Sequence, residues 1–139
     1  MKVFTATTEI QAAPETIWRI LTDAPHYPEW DPGMIRIEGT IAPGEQLTIY
    51  TKAAPERAFK PSVVEFQPNR KMVWRSGMPL GLFQGARTFT LEPSGNRVKF
   101  TLREEFSGLL LPMIGRSIPD LSPVFAAFAA ALKQRAERS

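Results

Sequence analysis

The sequence predicts a single domain of the α+β class, in which serial antiparallel strands pack against one long C-terminal helix. Two patterns support this. From Met34 to Ser107, apolar and polar residues alternate with a period of two, which is typical of antiparallel strands with one buried face. Beyond Pro112 the apolar spacing becomes helical. The length of 139 residues, with 43% hydrophobic and 22% charged residues, fits one globular domain over residues 1–139.

The first part of the chain predicts one strand followed by two short helices. The segment from Lys2 to Gln11 alternates like a strand. Pro14 suits the first turn of a helix, because the N–H that proline lacks would have no partner there. Asp23 is expected to cap a second short helix, which Pro28 and Pro32 end. The apolar face of the first helix comprises Ile17, Trp18, Ile20 and Leu21.

The middle of the chain predicts further strands joined by short turns, which bring the sheet to about six to seven strands in all. The segments QPNR (67–70) and PSGN (93–96) contain the proline, asparagine and glycine residues that are typical of hairpin turns. The first hairpin is expected to place two apolar residues of one strand opposite two of the next, namely Val64 and Phe66 opposite Met72 and Trp74.

The C-terminal helix is predicted from its start signals, its apolar face and its final charges. Ser122 is expected to cap it, and Pro119 and Pro123 to interrupt or restart the helical segment. Basic residues near its end suit the negative end of the helix dipole. The apolar face comprises Val124, Phe125, Phe128 and Leu132, and the basic residues are Lys133, Arg135 and Arg138.

The residue types exclude several kinds of site. The chain has no cysteine and one histidine, which excludes disulfides, thiol nucleophiles and thiolate metal sites. A transition-metal site would then need a carboxylate cluster that the sequence lacks. It also lacks the glycine-rich phosphate-binding motifs and the nucleophile-elbow motif. We therefore expect no metal and no cofactor.

Charge and hydropathy define the expected partners and compartment. The net charge of +3 is modest, and Arg97, Lys99 and Arg103 alternate on one strand face without interleaved aromatic residues. This pattern favours a solvated face over a nucleic-acid site. No apolar run is long enough for a transmembrane helix, and the first residues lack the apolar core of a signal peptide. We expect a cytoplasmic protein without nucleic-acid or integral membrane contact.

Three stretches carry a family resemblance: IQAAPETIWRILTDAPHYPEWDP, VVEFQPNRKMVW and FQGARTFTLEPSGNRVKFTLREEFSGLLLP. They resemble the START-related superfamily of polyketide cyclases/dehydrases and lipid-transport proteins. The resemblance covers nearly the whole chain. Its most specific motifs are a PE-x-IW helix, a YPEW loop and an E-x-F-x-G strand end.

The resemblance implies the helix-grip fold, in which a curved antiparallel sheet wraps around the C-terminal helix and leaves a cavity between them. Members of the superfamily bind or carry small apolar or amphipathic molecules in this cavity, and some catalyse cyclisation or dehydration. The resemblance therefore implies a ligand site, whereas the reaction, if any, does not follow from it.

Two charged residues interrupt apolar stripes that are expected to face inwards. Arg87 lies on one such strand face and Glu104 on the next. If the PSGN turn pairs Glu92 with Arg97, then Arg87 lies opposite Leu102 and diagonal to Glu104. Because an unpaired buried charge is costly, the two are expected to pair. The pair is either a structural salt bridge or a polar anchor for a ligand. An arginine partner opposes the raised pKa that a general acid at Glu104 would need.

Apolar side chains on the same inner faces are expected to line a cavity of roughly several hundred cubic ångströms, the usual size of a small-ligand site. Methionines, including Met78 and Met113, suit a loosely specified ligand. For Trp74 and Met72, an ordinary core position is the alternative. No catalytic residue is identified. The predicted ligand-binding residues are Arg87, Glu104, Trp74, Met72, Phe89, Phe100, Leu102, Phe125, Phe128 and Trp30.

The segment HYPEWDP (26–32) is interpreted as a stiff loop beside the cavity rather than as an active site. Trp30 and Tyr27 are expected to close the opening of the cavity from outside. Asp31 is expected to fix the loop through backbone hydrogen bonds. A catalytic triad would have to use His26, in a turn rich in proline, and is not favoured.

These patterns favour a protein that binds or transports a small hydrophobic or amphipathic molecule in an internal cavity. One alternative is a cyclase/dehydrase-type enzyme that acts on a polyketide-like or other cyclic substrate. The other is a non-catalytic interaction module whose cavity is filled by its own side chains.

Overall fold

The computed structural model of the protein describes residues 1–139. The chain begins with a strand and two short helices, in the predicted order. Pro14 is the first residue of the first helix, as predicted. Asp23 does not cap the next turn, because its carboxylate lies 2.9 Å from Nδ1 of His26. The elements are β1 (Lys2–Ile10), α1 (Pro14–Leu21), a 3₁₀ turn (Ala24–His26) and α2 (Tyr27–Trp30).

The antiparallel sheet is confirmed, with eight strands in two parts where six to seven in one sheet were predicted. A five-stranded part has the order β1-β8-β7-β6-β5, and a three-stranded part has the order β2-β3-β4. Backbone hydrogen bonds, such as the 2.8 Å bond from Leu47 N–H to Pro61 O, connect the two parts. The strands are β2 (Met34–Glu38), β3 (Thr48–Thr51), β4 (Ala54–Phe59), β5 (Ser62–Gln67), β6 (Lys71–Met78), β7 (Phe83–Ser94) and β8 (Arg97–Ser107).

The hairpin between β5 and β6 turns at QPNR, as predicted, but its register differs. Asn69 has a φ of +67°, and the N–H of Arg70 donates to the carbonyl of Gln67 over 3.0 Å, as in a type II turn. A bulge in β5 places Val63, not Val64, opposite Trp74. Val64 therefore points outwards and is half-exposed.

The hairpin between β7 and β8 is tighter than predicted. Ser94 pairs with Arg97, which leaves a two-residue loop in which Gly95 has a φ of +66°. Glycine at the first central position is typical of a type II′ turn, whose twist matches that of the strands. The register shifts by two residues relative to the prediction, so Arg87 lies directly opposite Glu104 rather than opposite Leu102.

The long C-terminal helix is confirmed and packs its apolar face against the sheet. Asp120, rather than Ser122, provides the N-terminal hydrogen bond: its carboxylate accepts from the N–H of Ser122 over 3.0 Å. Val124 is half-exposed and lies outside the apolar face on which it was predicted. A short helix α3 (Leu111–Ile114) precedes α4 (Ser122–Glu137), whose buried residues are Phe125, Phe128, Ala129, Leu132 and Ala136.

The outer face of β8 carries the basic residues that were interpreted as solvated. Arg97 lies 3.5 Å from a carboxylate oxygen of Glu9, and Arg103 lies 2.8 Å from one of Glu105. Both arginines therefore have acidic neighbours on the surface. None of the helices combines the length and the apolar composition that crossing a bilayer would require.

Candidate functional site

The register of the sheet builds a row of side chains across its inner face. Trp74 on β6 is the direct partner of Arg87 on β7, and Arg87 is the direct partner of Glu104 on β8. The row continues to Val63 on β5 and to Phe4 on β1. Because directly opposite residues of antiparallel strands share a face, the two charged residues lie between apolar neighbours.

The predicted binding residues all meet between the sheet and the helices α2 and α4. The next row of the sheet contains Met72, Phe89 and Leu102, and the row after that contains Phe100. Trp30 comes from α2. All of these residues except Arg87 are buried: Trp74, Glu104, Met72, Phe89, Leu102, Phe100, Phe125, Phe128 and Trp30.

Arg87 and Glu104 form the predicted pair. Nε of Arg87 donates to one oxygen of Glu104 over 2.9 Å, and a terminal nitrogen of Arg87 lies 2.7 Å from the same oxygen. The guanidinium carbon also lies 5.1 Å from the centre of the Phe125 ring, within the range of a cation–π contact. The Glu104 side chain is only 11% exposed, whereas that of Arg87 is 32% exposed, so solvent reaches the cation.

The lack of a side chain at Gly85 leaves room for the second carboxylate oxygen of Glu104. A Cβ at this position would lie 3.1 Å from that oxygen and 3.2 Å from the ring of Phe106. Gly85 is the partner of Phe106 in the row next to the ion pair. The missing side chain therefore leaves the carboxylate uncrowded on this side.

Two indole N–H groups in this region have no hydrogen-bond acceptor. Nε1 of Trp74 and Nε1 of Trp30 are both buried and unpaired within the protein. Buried polar groups are normally satisfied, and leaving one unpaired costs about 1–3 kcal/mol. Trp74 is also the cross-strand neighbour of Arg87. An unused donor and a solvent-accessible cation therefore lie on adjacent residues of the same face of the sheet.

Asp31 adds a buried carboxyl group to this region. Its side chain accepts a 3.1 Å hydrogen bond from the N–H of Gly33, which confirms its predicted role in fixing the loop. Burial raises the pKa of Asp31, while the Gly33 bond and the positive charges of Arg87 and Lys52 act in the opposite direction. From the sequence, Asp31 was predicted only to fix the loop and not to belong to the site. The available signal was its position directly after the two aromatic residues of α2.

Tyr27 and Trp30 lie inside the core, which corrects the prediction that they close an opening from outside. The hydroxyl of Tyr27 donates to the carbonyl of Leu21 over 2.6 Å, and its side chain is almost fully buried. Burial and the negative charge of Asp31 raise the pKa of Tyr27. The Trp30 ring packs 5.1 Å from that of Phe128, centre to centre.

Aromatic rings occupy much of the space in which a cavity was predicted. The ring of Phe128 lies 5.1–6.5 Å from four others, and those of Trp74 and Phe89 are 4.7 Å apart. Two solvent-open grooves lie elsewhere. One, of about 500 Å³, separates β1 from α4, and the other, of about 320 Å³, lies near residues 11–14 and 93–98. Neither groove is lined by a predicted binding residue.

The chemistry of these side chains would suit a molecule that is apolar along most of its length and carries one hydrogen-bond acceptor. Aromatic rings would surround the apolar part. The indole N–H of Trp74 and the guanidinium of Arg87 would donate to a carbonyl, carboxylate or sulfonate oxygen. A ligand would have to displace aromatic rings that now touch one another. Arg87 already reaches solvent.

The sequence model described as "Polyketide cyclase / dehydrase and lipid transport" matches residues 1–137. No curated protein sequence matches the chain.

Solved structures share this fold at low sequence identity. A hypothetical protein from Helicobacter pylori superposes with a TM-score of 0.78 at 15% identity, covering 97% of this chain and 88% of that one. A START superfamily protein from Mycobacterium smegmatis gives a TM-score of 0.73 at 20% identity, covering 98% and 97%. The di-domain ARO/CYC protein BexL of the BE-7585A biosynthetic pathway gives 0.72 at 17% identity, covering 96% of this chain and 46% of its own.

Proposed function

Because the chain belongs to the family of polyketide cyclases/dehydrases and lipid-transport proteins, we propose that it binds a small amphipathic molecule between α4 and the inner face of the sheet. The observation that carries the proposal is the unpaired indole N–H of Trp74 beside Arg87. A bound acceptor would satisfy this donor without breaking a hydrogen bond of the protein. The family supports ligand binding in general, and the choice of an acceptor-bearing ligand rests on Trp74 and Arg87.

The test uses 8-anilinonaphthalene-1-sulfonate, which combines aromatic rings with an anionic acceptor. Wild type is expected to bind the dye saturably at one site. Trp74→Phe keeps the aromatic ring but removes the donor, so the dissociation constant should rise about fivefold, as expected for one lost hydrogen bond of about 1 kcal/mol. Fluorescence titration measures the change. Trp18→Phe is the matched control, because Trp18 is buried against Phe66 and is not among the unpaired donors.

Two outcomes would contradict this proposal. Equal weakening by Trp74→Phe and Trp18→Phe would show that the indole N–H of Trp74 has no special role. Absence of saturable dye binding, together with native mass spectra that show no co-purified small molecule, would instead support the interaction module, in which the aromatic rings permanently fill the interior.

One observation favours the enzyme as a second candidate. Asp31 is a buried carboxyl group whose pKa is raised by burial, and the charge of Arg87 acts on it. Because burial makes this carboxyl group easier to protonate, it would donate a proton to a departing hydroxyl, which leaves as water while a solvent molecule accepts the proton lost from the adjacent carbon. Loss of one water from an added cyclic β-hydroxy ketone, detected by mass spectrometry and abolished in Asp31→Asn, would support this candidate over simple binding.

A further inference from the structure

Two loops at one end of the sheet expose apolar side chains to solvent. They comprise residues 77–83 and 108–114 and are called the apolar loop pair below. Met78 and Met113, which were expected to add to the cavity surface, are 47% and 75% exposed. Leu80 and Leu109 are 90% and 78% exposed. Exposed apolar patches of this kind on an otherwise polar surface mark interaction sites.

The two loops are joined to each other by the backbone. The N–H of Leu109 donates to the carbonyl of Gly81 over 3.1 Å, and the N–H of Leu110 donates to that of Leu82 over 2.7 Å. Gly108 has a φ of +122°, and a Cβ there would lie 2.6 Å from the carbonyl oxygen of Leu82. Only glycine allows this approach. The pair therefore presents its side chains from a fixed base.

Leu80 occupies an unfavourable conformation at the tip of the first loop. Its φ of +63° lies in the left-handed region, which leucine rarely adopts. The burial of its side chain does not offset this cost, because Leu80 is almost fully exposed. An outlier of this kind points to a function of the exposed side chain.

The composition of the apolar loop pair indicates what covers it. Residues 77–83 read GMPLGLF and residues 108–114 read GLLLPMI, without one polar side chain. Protein interfaces need hydrogen bonds at their rims and are enriched in tyrosine, tryptophan and arginine. A lipid surface requires only that apolar side chains enter the boundary between headgroups and acyl chains.

The charges around the pair favour an anionic surface. Arg116 is exposed directly after the second loop, and the ammonium group of Lys2 lies 3.2 Å from the carbonyl oxygen of Gly115. Glu105 is paired with Arg103, whereas Asp120 accepts from the N–H of Ser122 and its charge acts on Lys2, so Arg116 is the cation that is available to a surface. Cations beside an apolar tip are attracted to anionic headgroups.

We propose that the apolar loop pair docks on the surface of an anionic phospholipid bilayer, with Leu80 and Leu109 inserted and Arg116 at the headgroups. This is a second interaction site, separate from the Trp74–Arg87 region and independent of whether a ligand binds there. The side chains, not the loop backbone, enter the apolar layer, since backbone groups without partners are not tolerated there.

The experiment measures co-sedimentation of the full chain with vesicles of phosphatidylcholine and phosphatidylserine. Wild type is expected to partition, and the double variant Leu80→Asn with Leu109→Gln to partition at least tenfold less. Asparagine tolerates a positive φ, so this variant should fold as wild type does. Val64→Asn is the matched control, because Val64 is half-exposed on β5 outside the pair. Arg116→Gln should weaken binding to these vesicles but not to vesicles of phosphatidylcholine alone.

Several results would overturn the proposal. Wild type could fail to partition, or Val64→Asn could reduce partitioning as strongly as the double variant. Sedimentation of wild type as a dimer that the double variant makes monomeric would identify the pair as a protein–protein interface instead. The dye titration separates this proposal from the proposed function, because Trp74→Phe should partition like wild type and the double variant should retain dye binding.

Discussion

Glu104 is nearly enclosed, while Arg87 keeps about a third of its side chain exposed. Removing Arg87 should therefore destabilise the fold by a different amount from removing Glu104. Without Arg87, Glu104 would remain as a charge with little access to water. Without Glu104, the guanidinium could turn further towards solvent and keep its contact with Phe125. The pair is therefore asymmetric, and the asymmetry can be measured.

We expect Arg87→Met to lower the free energy of unfolding by about 2–3 kcal/mol, less than the roughly 3–5 kcal/mol typical of a fully buried pair. Glu104→Gln should cost about 1 kcal/mol, since a hydrogen bond is weakened but no enclosed charge is left. The double variant should recover much of the arginine loss. Urea unfolding measures all three variants. Single costs that simply add would show that the two residues do not interact.

The same double variant separates a structural pair from a ligand anchor. If Arg87 contributes only to stability, the folded double variant should bind 8-anilinonaphthalene-1-sulfonate like wild type. If Arg87 receives the sulfonate, affinity should fall even where stability has been restored. Stability and affinity thus report different roles of one side chain.

At the scale of the elements, the positions of the turns could be predicted from the sequence but their registers could not. Proline, asparagine and glycine marked both hairpins correctly. The bulge in β5 and the two-residue loop at Gly95 each shifted the pairing. Neither depends on residue type alone, because a register is decided by which side chains the whole sheet can bury. The direct pairing of Arg87 with Glu104 followed from the shift.

Gly77 offers a test of how β6 and β7 are joined. Its φ is +147°, and a Cβ there would clash with the carbonyl oxygen of Phe83 and lie 2.6 Å from the Cα of Gln84. The backbone of the adjoining strand would have to move. We expect Gly77→Ala to cost at least about 3 kcal/mol of unfolding free energy, measured by urea unfolding, since strained backbone and overpacking combine.

Gly44→Ala is the control for that measurement. Gly44 also has a positive φ, of +79°, but a Cβ there would meet nothing within 4 Å. It should therefore cost only the conformational penalty, about 1 kcal/mol. Similar losses in both variants would mean that the close contact between β6 and β7 contributes nothing to the effect.

For the molecule as a whole, the α+β class, the order of elements and the inward position of Arg87 and Glu104 could be predicted from residue patterns. Two features could not. Tyr27 and Trp30 were assigned to the outside, because the proline-rich segment around them gives no periodicity from which burial can be judged. Asp31 was assigned only a loop role, because its proximity to Arg87 arises where α2 and the sheet meet, far apart in sequence.

Asp31 makes the stability of the whole fold depend on pH. Burial raises its pKa above the ordinary value of 3.8, so the folded state holds this proton more tightly than the unfolded state does. The unfolded state therefore binds fewer protons in this range, and the contribution of Asp31 to stability falls as pH rises from 3.8 through the folded pKa. Above that pKa, the folded protein carries a buried carboxylate whose charge is incompletely compensated.

Asp31→Asn should remove this dependence while keeping an oxygen that can accept from the N–H of Gly33. Relative to wild type, the variant should gain stability as pH rises from about 3 to about 7, and the gain should level off above the folded pKa. Asp120→Asn should show the opposite trend, because the hydrogen bonds from Ser122 lower the pKa of Asp120, so its contribution is present at neutral pH and lost in acid. Urea unfolding at each pH gives both differences. Because each is taken against wild type, the contributions of all other titrating groups cancel. A gain for Asp31→Asn that is the same at every pH would show that Asp31 has the same pKa in the folded and unfolded states, and it would remove the support for a protonated acid in the site.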